Sequence, residues 1–104
     1  MARSTVPAPR HLSAEGRREW RAIRRDAPTD RRSHPVWLTL LTQYCVASDR
    51  ARVAQAVIDV EGITRRDPRG SLRRHPAVKE MQRATRDLLR FYTLADLGAH
   101  HRRR

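Results

Sequence analysis

Apolar residues recur at Trp37, Leu40, Tyr44, Ala47, Ala51, Ala54 and Ile58, in alternating steps of three and four that keep one seam on one face of a helix. Val36, Leu38, Leu41, Cys45 and Val46 widen that seam nearly to a full circle, and Val53, Val57 and Val60 add a flank further on. The pattern predicts a helix over 34–61, capped by Ser33 or His34, with Pro35 in the first turn, where a missing N–H costs nothing, and Gly62 as a left-handed stop. At about 1.5 Å per residue this helix is roughly 42 Å long, more than a compact domain of this chain length needs. A helix apolar on several sides has to be covered on several sides. It is either the central core helix of a monomer or a helix shared with a neighbouring subunit, and the little chain left to cover it favours sharing.

Two more helices follow from the same test. From Ser13, a predicted N-cap, a helix over 13–26 places Leu12, Gly16, Trp20, Ile23 and Ala27 on one side. Arg17, Arg18, Arg21, Arg24 and Arg25 fall on the other, so it is a basic amphipathic helix that ends at Ala27 and Pro28. A third helix over 76–97, with Gly98 as its stop, repeats the three and four spacing at Val78, Met81, Thr85, Leu88, Tyr92 and Ala95, with Leu89 beside them, and this stripe is expected to face the long helix. Lys79, Arg83, Arg86 and Arg90 form a separate cationic stripe, adjoined by Glu80 and Asp87.

Between the second and third helices, Asp67-Pro68-Arg69-Gly70 is turn chemistry, with Pro at the second turn position and Gly at the fourth. It predicts a short hairpin or irregular loop over 63–75. The expected fold is all-α: a short first helix plus a long antiparallel helix hairpin joined by a basic turn or small β-hairpin, assembled as a homo-oligomer. Residues 1–11, with Pro7, Pro9 and scattered Arg, read as a flexible arm, 12–97 as one helical domain, and 98–104 as a basic tail.

Charge changes what this scaffold is for. The 104 residues carry 23 Lys and Arg against 11 Asp and Glu, a formal charge of +12. A GC-rich coding bias accounts for Arg over Lys but not for that excess, which points to a polyanionic partner, nucleic acid first. By segment, residues 1–33 hold nine cations and four anions, 34–62 two and three, 63–75 five and one, and 76–104 seven and three. Charge avoids the long helix and surrounds it.

Little in the sequence points to catalysis. There is no Gly-rich phosphate loop and no nucleophile arrangement, so neither an enzyme nor a cofactor is expected. His34 and His75 adjoin prolines at helix starts, His100 and His101 sit in the tail, and the single Cys45 lies among apolar residues, which does not suit a metal site. A lone cysteine forms no intrachain disulfide and fits a reducing cytoplasm. No run of about 18 apolar residues predicts a membrane span, and no signal-peptide core is seen.

The order of landmarks resembles a family. Pro9, Leu12, Ser13 and Trp20 open the chain, the long helix ends at Gly62, a basic turn with Gly70 leads to His75 and Pro76, and the last helix closes with Leu97, Gly98 and a basic end. This resembles the small subunit of tailed-phage terminases, in the branch with a compact helical body and no separate DNA-binding domain. Members tend to follow the Leu-Gly with an apolar residue and a proline, where this chain has Ala99, His100 and His101. The resemblance implies a cytoplasmic ring of identical subunits that recognises the packaging site on double-stranded viral DNA and presents it to the large terminase subunit, with no catalytic centre of its own.

The residues expected to contact DNA are therefore Arg17, Arg18, Arg21, Arg24 and Arg25 on the first helix and Arg65, Arg66, Arg69, Arg73 and Arg74 on the connection, with Lys79, Arg83, Arg86 and Arg90 as a second candidate stripe or a solvated face. Trp37, Leu40, Leu41, Tyr44, Ala47, Ala51, Ile58, Leu88 and Tyr92 are expected to hold the helix pair and subunit contacts, and the tail of Gly98, Arg102, Arg103 and Arg104 is a candidate docking segment for the large subunit. The rival reading is a small basic DNA- or RNA-binding regulator or nucleoid-type protein acting as a dimer. A purely protein-binding adaptor is a third.

Overall fold

A computed structural model describes residues 6–98. Helix α1 (Ala14–Asp26) leads to the long α2 (Pro35–Glu61), then to strands β1 (Thr64–Arg66) and β2 (Leu72–Arg74), and finally to α3 (Pro76–Leu94). The two long helices form an antiparallel pair, and α1 lies across the first half of α2. The radius of gyration is 17.3 Å and the extents are 65 × 27 × 22 Å. A compact domain of this length has a radius near 13 Å, so the chain is a rod with an unusually large surface to cover.

Each helix start has a local cause. The Ser13 hydroxyl accepts from the Gly16 amide at 2.9 Å, and the imidazoles of His34 and His75 accept from the amides two residues on, at 3.3 and 3.0 Å, with proline in the first turn of each helix. Gly62 ends α2 at φ 81 and ψ 172, not in the left-handed helical region expected, but in an extended positive-φ region that is almost exclusively glycine's. The end of α3 differs more. The helix stops at Leu94 and not at Leu97, because Asp96 takes φ 54. Its amide then bonds the Thr93 carbonyl at 3.1 Å, and the Leu97 amide bonds that of Tyr92 at 3.0 Å, the paired pattern that closes a helix one residue past its cap. Gly98 serves close packing: a Cβ there would lie 2.9 Å from the Tyr92 hydroxyl.

The core gathers at one end. Leu12, Trp20, Ala27, Trp37, Leu41, Cys45, Ala95 and Leu97 are buried together, and Ala8 joins them from the segment expected as an arm. Residues 1–5 of that arm and 99–104 of the tail lie outside the described residues. The Trp37 indole N–H donates to the Ala95 carbonyl at 3.0 Å, fastening the start of α2 to the end of α3. Further along, the pair closes over small residues: Ala47 and Ala54 of α2 and Ala84 of α3 are buried. The α3 stripe turned inward runs through Ala77, Met81, Ala84, Leu88 and Phe91, while Thr85, Leu89 and Tyr92 of the expected stripe are exposed. Two apolar stripes adjoin on this helix, and alanine lets the backbones approach more closely than the larger residues of its neighbour stripe do.

Asp49 ties α1 to α2. Its carboxylate accepts from the Ser13 amide at 2.8 Å and the Ser13 hydroxyl at 2.6 Å, and also from Arg52. Gly16 is required beside it, since a Cβ there would stand 2.6 Å from the Asp49 carboxylate. Burial alone would raise the Asp49 pKa, but the hydrogen bonds from Ser13 and Arg52, with the Arg52 charge, outweigh it and hold the carboxyl below its usual range. A depressed folded-state pKa means that the unfolded chain takes up the proton first. The stabilisation is therefore complete above about pH 4 and lost as the pH falls below that. Asp49→Ala is expected to lower the unfolding free energy by about 1–3 kcal/mol at pH 7 and to flatten the acid side of the stability profile, read from urea titrations at pH 7 and pH 3.

Candidate nucleic-acid interface

At the end of the rod away from the core, the hairpin projects as a basic finger. β1 and β2 pair antiparallel with Arg65 opposite Arg73, Thr64 opposite Arg74 and Arg66 opposite Leu72, so Arg residues stand on both faces. Asp67 builds the tip: one oxygen accepts from the Arg69 and Ser71 amides at 2.9 Å each and the other from the Arg73 guanidinium at 3.2 Å. Those bonds, the Arg73 one foremost, hold its carboxyl below the usual range. The base is fixed as well. The His75 amide donates to the Ile63 carbonyl at 2.8 Å. Because the His75 Nδ1 accepts from the Ala77 amide it carries no proton, so Nε2 donates to Glu61 at 2.7 Å, closing the loop from the last residue of α2.

All five Arg side chains of the finger are exposed. Arg73 is paired with Asp67, and Arg66 donates to the Gly70 carbonyl at 2.7 Å. Arg65, Arg69 and Arg74 have no acidic partner among the described residues. Mutually repelling, solvated guanidiniums on a braced turn are suited to meeting closely spaced negative charge, because each contact with a nucleic-acid backbone releases condensed counterions.

The first-helix cations divide. Arg18 and Arg21 are exposed, and Arg25 is exposed beside Asp26 at 3.8 Å. Arg17 and Arg24 are half-buried: Arg17 donates to the Leu12 carbonyl at 2.6 Å, while Arg24 lies 6.0 Å from the centre of the Trp20 ring and donates to the Arg32 carbonyl at 2.8 Å. Both help hold α1 in place. The α1 face and the finger do not form one patch, since Glu61 lies about 18 Å along α2 beyond Asp49, where α1 begins. Lys79, Arg83, Arg86 and Arg90 are all exposed on α3, in a line that begins one turn past the finger.

Of the residues expected to pack, Trp37, Leu41 and Ala47 are buried, Leu40, Tyr44, Ala51, Ile58 and Leu88 are half-buried, and Tyr92 is exposed at the edge with its ring centre 6.2 Å from that of Tyr44. Gly98 is half-buried, and Arg102, Arg103 and Arg104 lie outside the described residues.

Two cations of the long helix escaped the sequence reading. Arg50 bridges Glu80 and Asp87 of α3, at 2.9 Å each, and Arg52 reaches Asp49, Glu15 and Glu19 of the α1 junction. The signal for the first was there: Glu80 and Asp87 stand seven apart, on one face of a helix, opposite a helix with only two cations, Arg50 and Arg52. Burial, with the negative charges of Glu19 and Asp49 nearby, pushes the Cys45 thiol up to about 12, which suits a small apolar filler and not a nucleophile. Among the described residues no cluster of His, Cys, Asp or Glu is placed to hold a metal ion, and no helix is long and apolar enough to cross a membrane.

A small helical rod that keeps its charge off its core and presents it on a braced finger is a module for contacting other macromolecules. A family model described as phage terminase, small subunit, matches residues 16–104, nearly the whole chain, and the chain belongs to that family. Membership supports a role in phage DNA packaging. Comparison with curated proteins and with solved structures gives no match.

Proposed function

We propose that this chain is the non-catalytic DNA-binding adaptor of a phage packaging motor, working in the host cytoplasm. As a ring of identical subunits it binds double-stranded viral DNA at the packaging site, then recruits and regulates the large terminase subunit, which carries the ATPase and nuclease. The observation that supports this reading best is the finger: five exposed Arg on a turn fixed at tip and base, three of them without an acidic partner among the described residues. Repetition around a ring turns modest contacts of this kind into strong binding through effective concentration. The exposed Arg18, Arg21 and Arg25 and the Lys79 to Arg90 stripe are further contact surfaces, and the basic tail from Gly98 is the docking segment for the large subunit.

Two measurements on the full chain test this. Fluorescence anisotropy with a duplex is expected to give binding at low salt whose log K falls linearly with log salt concentration, steeply enough for several phosphate contacts at about 0.9 each. Native mass spectrometry is expected to show a closed assembly larger than a dimer. A stable dimer with ordinary duplex affinity supports the small DNA-binding regulator instead, and no duplex binding at low salt leaves a protein-binding adaptor.

A further inference from the structure

Among the described residues, two apolar surfaces remain uncovered on opposite flanks of the α2–α3 pair, and they differ in shape. One is a groove of about 420 Å³ along α2, lined by Val46, Val53, Ala54 and Val57 with Ala77 of α3 on its wall. The other is a ridge on α3: Val78, Thr85, Leu89 and Tyr92, continued onto the base of the finger by Ile63 and Leu72. Val53 is 66% exposed, Leu89 58% and Leu72 64%, so these are large apolar groups in water. Their placement on opposite flanks follows from the ion pairs. Glu80 and Asp87 both reach Arg50, and Arg50 and Glu80 line the groove. At about 100° per residue, Leu89 points away from both acids.

The two surfaces also fit in length. Val46 to Val57 spans about 16 Å of helix and Val78 to Tyr92 about 21 Å, so the ridge is long enough to fill the groove. Charge selects who can cover them. In a chain of net charge +12, a second copy is repelled wherever unpaired cations face one another. The α3 positions of the ridge carry no charge, Arg73 and Arg74 stand only at its finger end, and the charged groups at the groove are spoken for, Arg50 by Glu80 and Asp87, Asp49 by Ser13 and Arg52. A two-fold contact of groove on groove, or ridge on ridge, would leave the other surface of both copies in water. One contact of ridge into groove, repeated, covers both on every copy.

We propose that the α3 ridge of one copy seats in the α2 groove of the next, a head-to-tail contact centred on Leu89 and Val53. It deepens the oligomeric part of the proposed function and rests on it. Native mass spectrometry or sedimentation velocity on Val53→Asp, Leu89→Asp and their equimolar mixture tests it, with circular dichroism as the control for folding. Both positions are solvent-facing, and Val53→Ser and Leu89→Ser report the same contact if aspartate lowers helicity. Each variant alone is expected to lose the wild-type assembly and run as a monomer. Their mixture is expected to recover a heterodimer and stop there, because only one intact ridge and one intact groove remain. A wild-type oligomer that survives either substitution, or a mixture that stays monomeric, overturns the contact while leaving the ring reading standing. A dimer abolished by Leu89→Asp but kept with Val53→Asp shows the ridge pairing with itself and overturns it too. A wild-type chain that is itself monomeric at micromolar concentration overturns the ring reading, and the contact with it.

Discussion

Leu41→Ala is expected to lower the unfolding free energy by about 2–5 kcal/mol, the cost of removing a buried leucine and leaving a cavity that the surroundings only partly close. Leu41 is 0% exposed and, with Cys45, is the largest side chain fully enclosed. It is packed where the arm, α1, α2 and the end of α3 meet. A domain of this size holds only about 5–15 kcal/mol in total, so a change at the upper end of that range leaves much of the protein unfolded at 37 °C. Urea denaturation followed by circular dichroism reads it. The titration belongs at two protein concentrations, because an assembly that forms only from folded chains adds a concentration-dependent share of stability. A loss under about 1 kcal/mol would mean that this junction is not where the fold is held.

The second large effect concerns binding. Replacing Arg65, Arg69 and Arg74 together by alanine is expected to make the plot of log K against log salt shallower by up to about 2.7 units, about 0.9 for each phosphate no longer neutralised, and to weaken duplex binding at least about tenfold at 0.1 M salt. Replacing Arg18 and Arg21, the two α1 cations with no partner among the described residues, removes two charges and is expected to change the slope by less. All five positions are exposed, so folding should be unaffected. Equal and unchanged slopes in both variants would remove the finger and the first helix from the binding surface together. The comparison uses Arg21 in preference to Arg24, because Arg24 stacks near Trp20 and its loss would disturb α1 as well as the charge.

Much of this architecture was legible in the sequence, for reasons tied to particular residues. Trp37, Leu40, Tyr44, Ala47, Ala51, Ala54 and Ile58 repeat in helical steps of three and four over a stretch with no internal breaker, and proline after histidine marks two helix starts whose caps the structure bears out. Asp67 with Gly70 set the turn of the hairpin. What escaped was the phase of α3 and its end. Ala84 and Thr85 differ by one residue, about 100° on the wheel, and the expected stripe ran through Thr85 while close packing took the smaller Ala84. The stop at Asp96 was hidden because a glycine stood two residues beyond it and an aspartate takes a positive φ far less often than a glycine does. In the candidate interface, sequence identified the cations but not their engagements. Arg17 and Arg24 read as free charges on a wheel, and only the fold shows the carbonyl of Leu12 and the ring of Trp20 beside them. The Asp49 tie to Ser13 spans 36 positions and left no local pattern at all.

The placement of the core gives the rod a gradient along its length. Every large buried side chain of α2 lies at or before Cys45, and beyond it the pair is closed by alanines, Ser48 and the His75 clamp. Local opening is governed by how much buried contact it breaks, so amide hydrogens should exchange slowly around Trp37 and Leu41 and faster toward Val60 and the finger. Such a molecule is expected to be stiff at the thick end and compliant at the charged one. On the proposed reading, a finger at the compliant end leans to follow a curved or irregular polyanion while the far end keeps its shape.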